Sequence, residues 1–376
     1  MVLVRALTFM SGPINYSDPR EAKSHLRNLP REAGGLGEVA KHITPKIWTK
    51  RLVLPRLDAT DSRSLRELST SIKDILPDLG VNYVALPLGE VNLEEVADEL
   101  STTLAEDSPL FFSVKLSRLG ESLPQHRASS AARLLKRIAE KGGPMSCVKF
   151  AFSCGDQPET PYFPDTLSSR SSRRSFSLSL RYVKDVQDII EREPDSAERE
   201  VSSLLAKVNG EALEASSRSS LDYIGMDCSL SPWMDESAAS LVEVVLGHEF
   251  DSPGTHDAVF QLNRLIESAS KGVRACGFNE VMLPVAEDSR LKELALDGRV
   301  TTSSLVSLVS VCVAGLDMVV LPLSTDLREL AGLLLDISSI VNSKRRAAGI
   351  RLVLADAKPF DEISMGQFGK VPIMRL

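Results

Sequence analysis

At 376 residues, with 43% hydrophobic and 25% charged side chains, the chain can bury a sizeable core as one large α/β domain or two ordinary ones. A net charge of −7 argues against nucleic acid and anionic membrane as main partners, because phosphate binding draws on clustered Lys and Arg. The five cysteines, Cys147, Cys154, Cys228, Cys276 and Cys312, are scattered without a CxxC pair, which fits a reducing cytoplasm rather than a disulfide framework or a zinc site.

From the amino end, MVLVRALTFMSG lacks the apolar core of a signal peptide and reads as a first strand, 2–9. Residues 13–38, ending in AGGLGE, read as a polar, Gly-rich loop; no GxGxxG follows a strand there. Further short apolar, β-branched runs at 51–54, 81–86, 110–114, 148–152, 176–182, 222–226, 281–285, 318–321 and 350–354 bring the expected strands to about ten. Several are continuously apolar, the pattern of strands covered on both faces. Helices are expected at 64–76, 93–104, 128–141, 184–193, 197–207, 236–246, 258–275, 302–313 and 327–343. The stretch 303–323 is of membrane-spanning length, but Gly315 and Asp317 divide it, so it reads as a buried helix and then a buried strand. Alternating β and α over the whole length implies one α/β sheet or barrel in a soluble protein.

Four runs end in Leu-Pro, at Pro55, Pro87, Pro284 and Pro322, where a residue without an N–H marks the end of a ladder. GVNYVALPLGEVNLEEVADEL (80–100) also lines up with GLDMVVLPLSTDLRELAGLLL (315–335), which suggests two related halves.

In α/β sheets the working groups gather past the carboxyl ends of strands. Those positions hold Ser153, Cys154 and Asp156; Asp227, Cys228, Ser229 and Ser231; Glu287 and Asp288; Ser324, Thr325 and Asp326; and Asp356 and Lys358. Two readings stand for each. Cys154 and Cys228 are nucleophiles or small buried hydrophobes, and no histidine stands beside either to lower its pKa. Asp227 with Glu287 and Asp288 could supply acid–base groups, or oxygen ligands for Mg²⁺ or Ca²⁺; the plain alternative is a capped helix start on a solvated loop, and Asp235 and Asp326 read as helix caps. Ser252-Pro253-Gly254-Thr255 resembles an anion-binding helix start. Arg170, Arg173 and Arg174 form an anion clamp or an exposed basic loop. His248 and His256 fit no zinc spacing.

GMDCSLSPWMDESAASLVEVV, SPGTHDAVFQLNRLI, GFNEVMLPVAED, CVAGLDMVVLPLSTD, IRLVLADA and FGKVPIM resemble, in this order, an uncharacterised conserved family whose bacterial members occur beside a small ACT-domain protein. The resemblance implies a ten-stranded α/β barrel grouped with pyruvate formate-lyase and anaerobic ribonucleotide reductase. The end, MGQFGKVPIMRL, holds no glycyl-radical motif, so radical chemistry is not implied. The family pattern falls on Asp227, Ser229, Ser231, Pro232, Pro253, Gly254, Thr255, Pro284, Glu287, Asp288, Gly315, Asp317, Pro322, Arg351 and Gly369. The chain departs from it at Ser231-Pro232-Trp233-Met234 and in PETPYFPDTLSSR, which puts the ligand in question.

The expectation is therefore one cytoplasmic, oligomeric α/β barrel domain over 1–376. It is read as an enzyme for a small polar metabolite. Asp227, Glu287, Asp288 and Cys154 are the candidate catalytic groups, and Ser229, Ser231, Gly254, Thr255 and Arg351 the candidate substrate contacts. Any metal, Mg²⁺ or Ca²⁺, falls to Asp227 and Glu287, and the resemblance implies the ACT-domain protein as partner. The rival is a non-catalytic metabolite-binding or assembly protein. Shifted carboxylates beside a ligand-sized cavity favour the enzyme. A site filled by Trp233, Phe163 or Met234, with its acids paired to arginine, favours the rival.

Overall fold

Nine of the ten expected runs form strands in the computed structural model, which describes residues 2–168, 174–311 and 314–376. They are β1 (Leu3–Met10), β2 (Ile47–Val53), β3 (Tyr83–Leu88), β4 (Leu110–Ser117), β5 (Phe150–Cys154), β6 (Ser175–Arg181), β7 (Asp222–Asp227), β8 (Gly315–Pro322) and β9 (Ala348–Ala355). A small hairpin of β10 (Glu362–Ser364) and β11 (Lys370–Pro372) follows. The nine join in one sheet of order β7-β6-β1-β2-β3-β4-β5-β9-β8. Strands β1 to β5 run parallel. The pairs β6–β7 and β8–β9 are each parallel within, but β6 runs against β1 and β9 against β5. The sheet is mostly parallel, with its direction reversed at both flanks.

The tenth run does not become a strand, and the sheet is not the closed ten-stranded barrel expected. Between the edge strands, residues 275–284 make only isolated bridges to β7 and its exit, Met226 with Ala275 and Leu230 with Val281. One backbone–backbone hydrogen bond reaches the other side among the described residues, from Ala314 N to Val281 O at 3.3 Å. The cause is local. Asn263 Oδ1 accepts the Val281 N–H at 2.8 Å, Asn279 sits at φ 54°, and Pro284 has no N–H to give. Pro87 differs from the expectation in another way, since it lies inside β3 and pairs with Ser113.

Thirteen helices accompany the sheet among the described residues. In order they are α1 (Pro19–Ala33), α2 (Gly35–Lys41), α3 (Ser62–Leu79), α4 (Leu93–Ala105), α5 (Gln125–Gly142), α6 (Pro144–Val148) and α7 (Val183–Arg192). Then come α8 (Ala197–Arg218), α9 (Ala238–Leu246), α10 (Thr255–Ala269), α11 (Ser289–Leu296), α12 (Thr302–Leu308) and α13 (Leu327–Lys344). None is long and apolar enough to cross a membrane. The expected loop at 13–38 is mostly α1 and α2. Asp18 caps α1 by accepting from Arg20 N and Glu21 N, Pro19 opens it, and Leu26, Leu29 and Ala33 bury one face. Asp326 caps α13 in a capping box with Glu329. Asp235 is no cap: Ser237 starts α9, and Asp235 accepts from Ser289 Oγ at 3.0 Å.

The connection at 155–168 decides the shape of the site. Gln157 donates to Ser113 Oγ of β4 at 2.8 Å and Thr160 to Asp227 of β7 at 2.6 Å. Tyr162 donates to Leu180 O of β6 at 3.2 Å, and Ser168 to Ser11 O just past β1 at 2.7 Å. One segment can reach β1, β4, β6 and β7 only if the sheet curls around it. The loop fills part of the inner side and leaves a cavity above the rest.

Candidate functional site

The cavity measures about 590 Å³. That is within the usual size of small-molecule sites, roughly 300–1,000 Å³. Its walls are mainly aromatic: Trp48, Tyr83, Phe111, Tyr162, Phe163, Trp233, Phe278 and Phe368. The rings brace one another edge to face, with centroids 4.7 Å apart for Trp48–Trp233, 5.3 Å for Tyr83–Phe111 and 5.7 Å for Phe111–Phe163.

Charged groups from separate strands enter this apolar space. Glu287, in the turn before α11, is gripped by Arg5 of β1 and by Arg351 of β9 at 2.9 Å. Arg351 also holds Asp317 of β8 through two bonds, at 2.5 and 2.8 Å. Arg5 donates further to Pro232 O at 2.8 Å and lies over the paired Trp48 and Trp233 rings, 5.6 Å from each centroid. Burial pushes the Glu287 carboxyl up, but the pull of the two arginines exceeds it and holds the group below the usual carboxylate range. For Asp317 burial prevails over Arg351 and the pKa rises.

Arg51 differs from the other two arginines. It is 8% exposed, and no carboxylate lies within ion-pairing distance of it among the described residues. Its guanidinium donates only to Thr49 Oγ1 and Pro161 O, each at 3.1 Å, and rests 5.1 Å from the Phe163 centroid. Burial, with Arg5 nearby, pulls its pKa down to about 10. Lys149, the cavity's other cation, is tied at its rim to Glu106 O at 2.7 Å. Among the described residues the buried acid of the lining without a cation is Asp165: 6% exposed, holding Gln157 Nε2 at 3.0 Å on Oδ1, with no hydrogen bond on Oδ2. Burial raises it to about 7, opposed by Ser153 and Gln157 and aided by the Asp317 charge.

Of the site residues expected from sequence, Glu287, Ser231 and Arg351 line the cavity together. Asp227 and Ser229 do not. Asp227 Oδ1 accepts from Ser229 N, Ser229 Oγ and Asn279 N, and Oδ2 from Thr160 Oγ1 and Phe278 N. These bonds fasten the 276–280 loop to β7, and Gly277, at φ +81°, leaves room for the carboxylate. Asp288 accepts from Ser237 Oγ, Ala239 N and Leu291 N, and so ties the starts of α9 and α11. Cys154 is buried in β5 and its thiol is pushed up to about 12; burial raises Cys228 as well. Gly254 is exposed and, with Thr255, starts α10 away from the cavity lining. Arg174 pairs with Glu32 at 2.9 Å; Arg170, Arg173 and Cys312 lie outside the described residues. Both oxygens of Glu287 and of Asp227 are engaged, and no three His, Cys, Asp or Glu among the described residues come together to hold a metal ion.

Arg5, Arg51 and Asp165 are not at the strand-exit positions singled out from sequence, and Asp317 is marked there only through the family pattern. The cavity instead takes Arg5, Trp48, Tyr83, Phe111 and Asp317 from the amino-terminal parts of their strands and Arg51 and Arg351 from mid-strand. A usable signal was present in VLVRALTF and KRLVLP, where an arginine interrupts or opens a run otherwise fit for burial.

Fold and cavity together define an α/β protein with an internal, arginine-bearing pocket. The chain belongs to the family described as Uncharacterised ACR (DUF711), whose model matches residues 22–365. Its relatives include UPF0210 proteins of Methanopyrus kandleri, 22% identical over 99% of this chain and 90% of that one, and of Bifidobacterium longum subsp. infantis, 23% identical over 82% and 72%. A UPF0210 protein of Pyrobaculum islandicum is 31% identical over 39% of this chain and 34% of its own.

Proposed function

We propose that the chain binds a small anionic metabolite with an apolar or flat body inside this cavity, and that Arg51 receives the anion. One observation carries the reading: a buried guanidinium on the wall of a ligand-sized, aromatic cavity has no carboxylate within ion-pairing distance among the described residues. Burying a charge without a partner is costly, and a bound anion would offset that cost. The rings of Phe163 and Tyr83, 5.1 and 5.7 Å from the guanidinium carbon, hold it in place without neutralising it.

A thermal-shift screen of small carboxylates and phosphates, run on wild type and on Arg51→Met, tests the reading. Anions should raise the melting temperature of wild type only. An equal shift in both proteins, or none in either, sinks it. A second reading, turnover by proton transfer, is favoured by Asp165, an acid held near neutrality on the same wall. Against it stands the pairing of Glu287 and Asp317 with arginine. The kinship with pyruvate formate-lyase folds, self-association and the ACT-domain partner belong to the same proposal. The curled sheet with an inserted connection supports the first, and light scattering and co-expression test the other two.

A further inference from the structure

Two features of the cavity lie outside anion binding by Arg51. Asp165 has no cation within ion-pairing distance among the described residues, and its Oδ2, packed against Gly349, has no hydrogen-bond donor. Ser153 stands near this carboxyl, yet its Oγ completes no hydrogen bond either. Asp317 is on the same side. Both its oxygens meet Arg351, but its side chain remains 31% exposed, and each carboxylate oxygen has a second lone pair to offer. Among the described residues the cavity therefore has one buried cation, Arg51, without an anion and, separately, one carboxylate oxygen, Asp165 Oδ2, without a donor.

We propose that the ligand is a small aminocarboxylate, an amino-acid-like zwitterion whose carboxylate meets Arg51 and whose ammonium meets Asp165 and Asp317. The inference rests on the anion-binding reading above and narrows it to a substrate class. An ammonium satisfies both carboxylates with three donors, and the aromatic walls suit an apolar or aromatic side chain. The Asp317 charge adds to the burial that raises the Asp165 carboxyl, and a bound cation would relieve both.

Calorimetry on the full chain separates the possibilities, using L-phenylalanine and L-leucine beside their desamino analogues, 3-phenylpropanoate and 4-methylpentanoate. Wild type should prefer the amino acids by roughly 10- to 100-fold, the range of a charge-assisted hydrogen bond. Asp165→Asn, close in shape to the protonated acid, should lose that preference and keep the desamino acids. Arg51→Met should lose both classes. Desamino acids binding wild type as tightly as amino acids would overturn this inference and leave the anion reading standing. Binding of either class that survives in Arg51→Met would overturn the anion reading itself, and no binding by any of the four probes would overturn the inference. A circular dichroism melt of each variant verifies that it is folded.

Discussion

Arg51 carries a stability cost at the scale of a single residue. A charge held in an apolar wall with two neutral acceptors is desolvated without compensation. Arg51→Met, similar in length and apolar, should therefore leave the ligand-free protein as stable as wild type or more so by about 1 kcal/mol, measured by urea unfolding. A loss of several kcal/mol would show that the guanidinium is structural. Asp165 couples to pH. Its folded pKa of about 7 lies above the ordinary carboxylate value, so the folded chain keeps a proton that the unfolded chain releases. That contribution is full below about pH 4 and disappears as the pH rises through 7. Buried Glu280, also raised to about 7, acts in the same direction. Asp165→Asn should flatten the fall in stability between acid and neutral pH and gain on the order of 1–3 kcal/mol at pH 8. Parallel urea curves at pH 5 and 8 measure both slopes.

Among the elements, the segment between β7 and β8 shows how a strand-like sequence is diverted. Its run EVMLPV is apolar enough for a ladder, yet Asn263, Asn279 and Pro284 satisfy or remove the donors the ladder would use. Asp227 then closes the turn with five accepted hydrogen bonds. A methyl group at Gly277 would stand 2.0 Å from Asp227 Oδ2, on backbone at φ +81°. Gly277→Ala should therefore cost roughly 2 kcal/mol or more, since both strain and a broken buried network follow. A lowered urea midpoint with an unchanged slope is the expected result, and an unchanged midpoint would mean that the loop relaxes freely.

For the whole molecule, Glu287 is the joint. It links β1 through Arg5 and β9 through Arg351, two strands separated in the sheet by β2, β3, β4 and β5. Glu287→Gln leaves buried Arg5 without an anion among the described residues and Arg351 with Asp317 alone, and removing one partner of a buried pair costs about 3–5 kcal/mol. The loss should be seen as a lower unfolding midpoint. Its negative charge also keeps the cavity from being more cationic, so the variant should bind anions less selectively. The 155–168 connection has a comparable reach. It bonds to the β6–β7 flank and to β4 and the end of β1 in the parallel centre, and so the curl of the sheet and the cavity depend on one loop.

The sequence by itself determined the alternation of strands and helices, nine strand positions and membership of the family, because periodicity, caps and Pro punctuation are local signals. It also pointed to Glu287, Ser231 and Arg351, which meet on one wall. It misled at 13–38, where glycines hid the capped helix α1, and at 281–285, where side chains took the place of a ladder. Only the tertiary structure decided where the site lies. Reversal of the sheet at β6 and β9 places strand exits and strand starts around one cavity, so Arg5 and Arg51 face Glu287 and Asp165 from across the chain. YIGMDCSLSPWMDES is where the two meet: its Asp227 holds the fold, and its Ser231 and Trp233 reach the cavity. The physical reason is that a carboxylate's role depends on its neighbours in space, which sequence spacing alone does not carry.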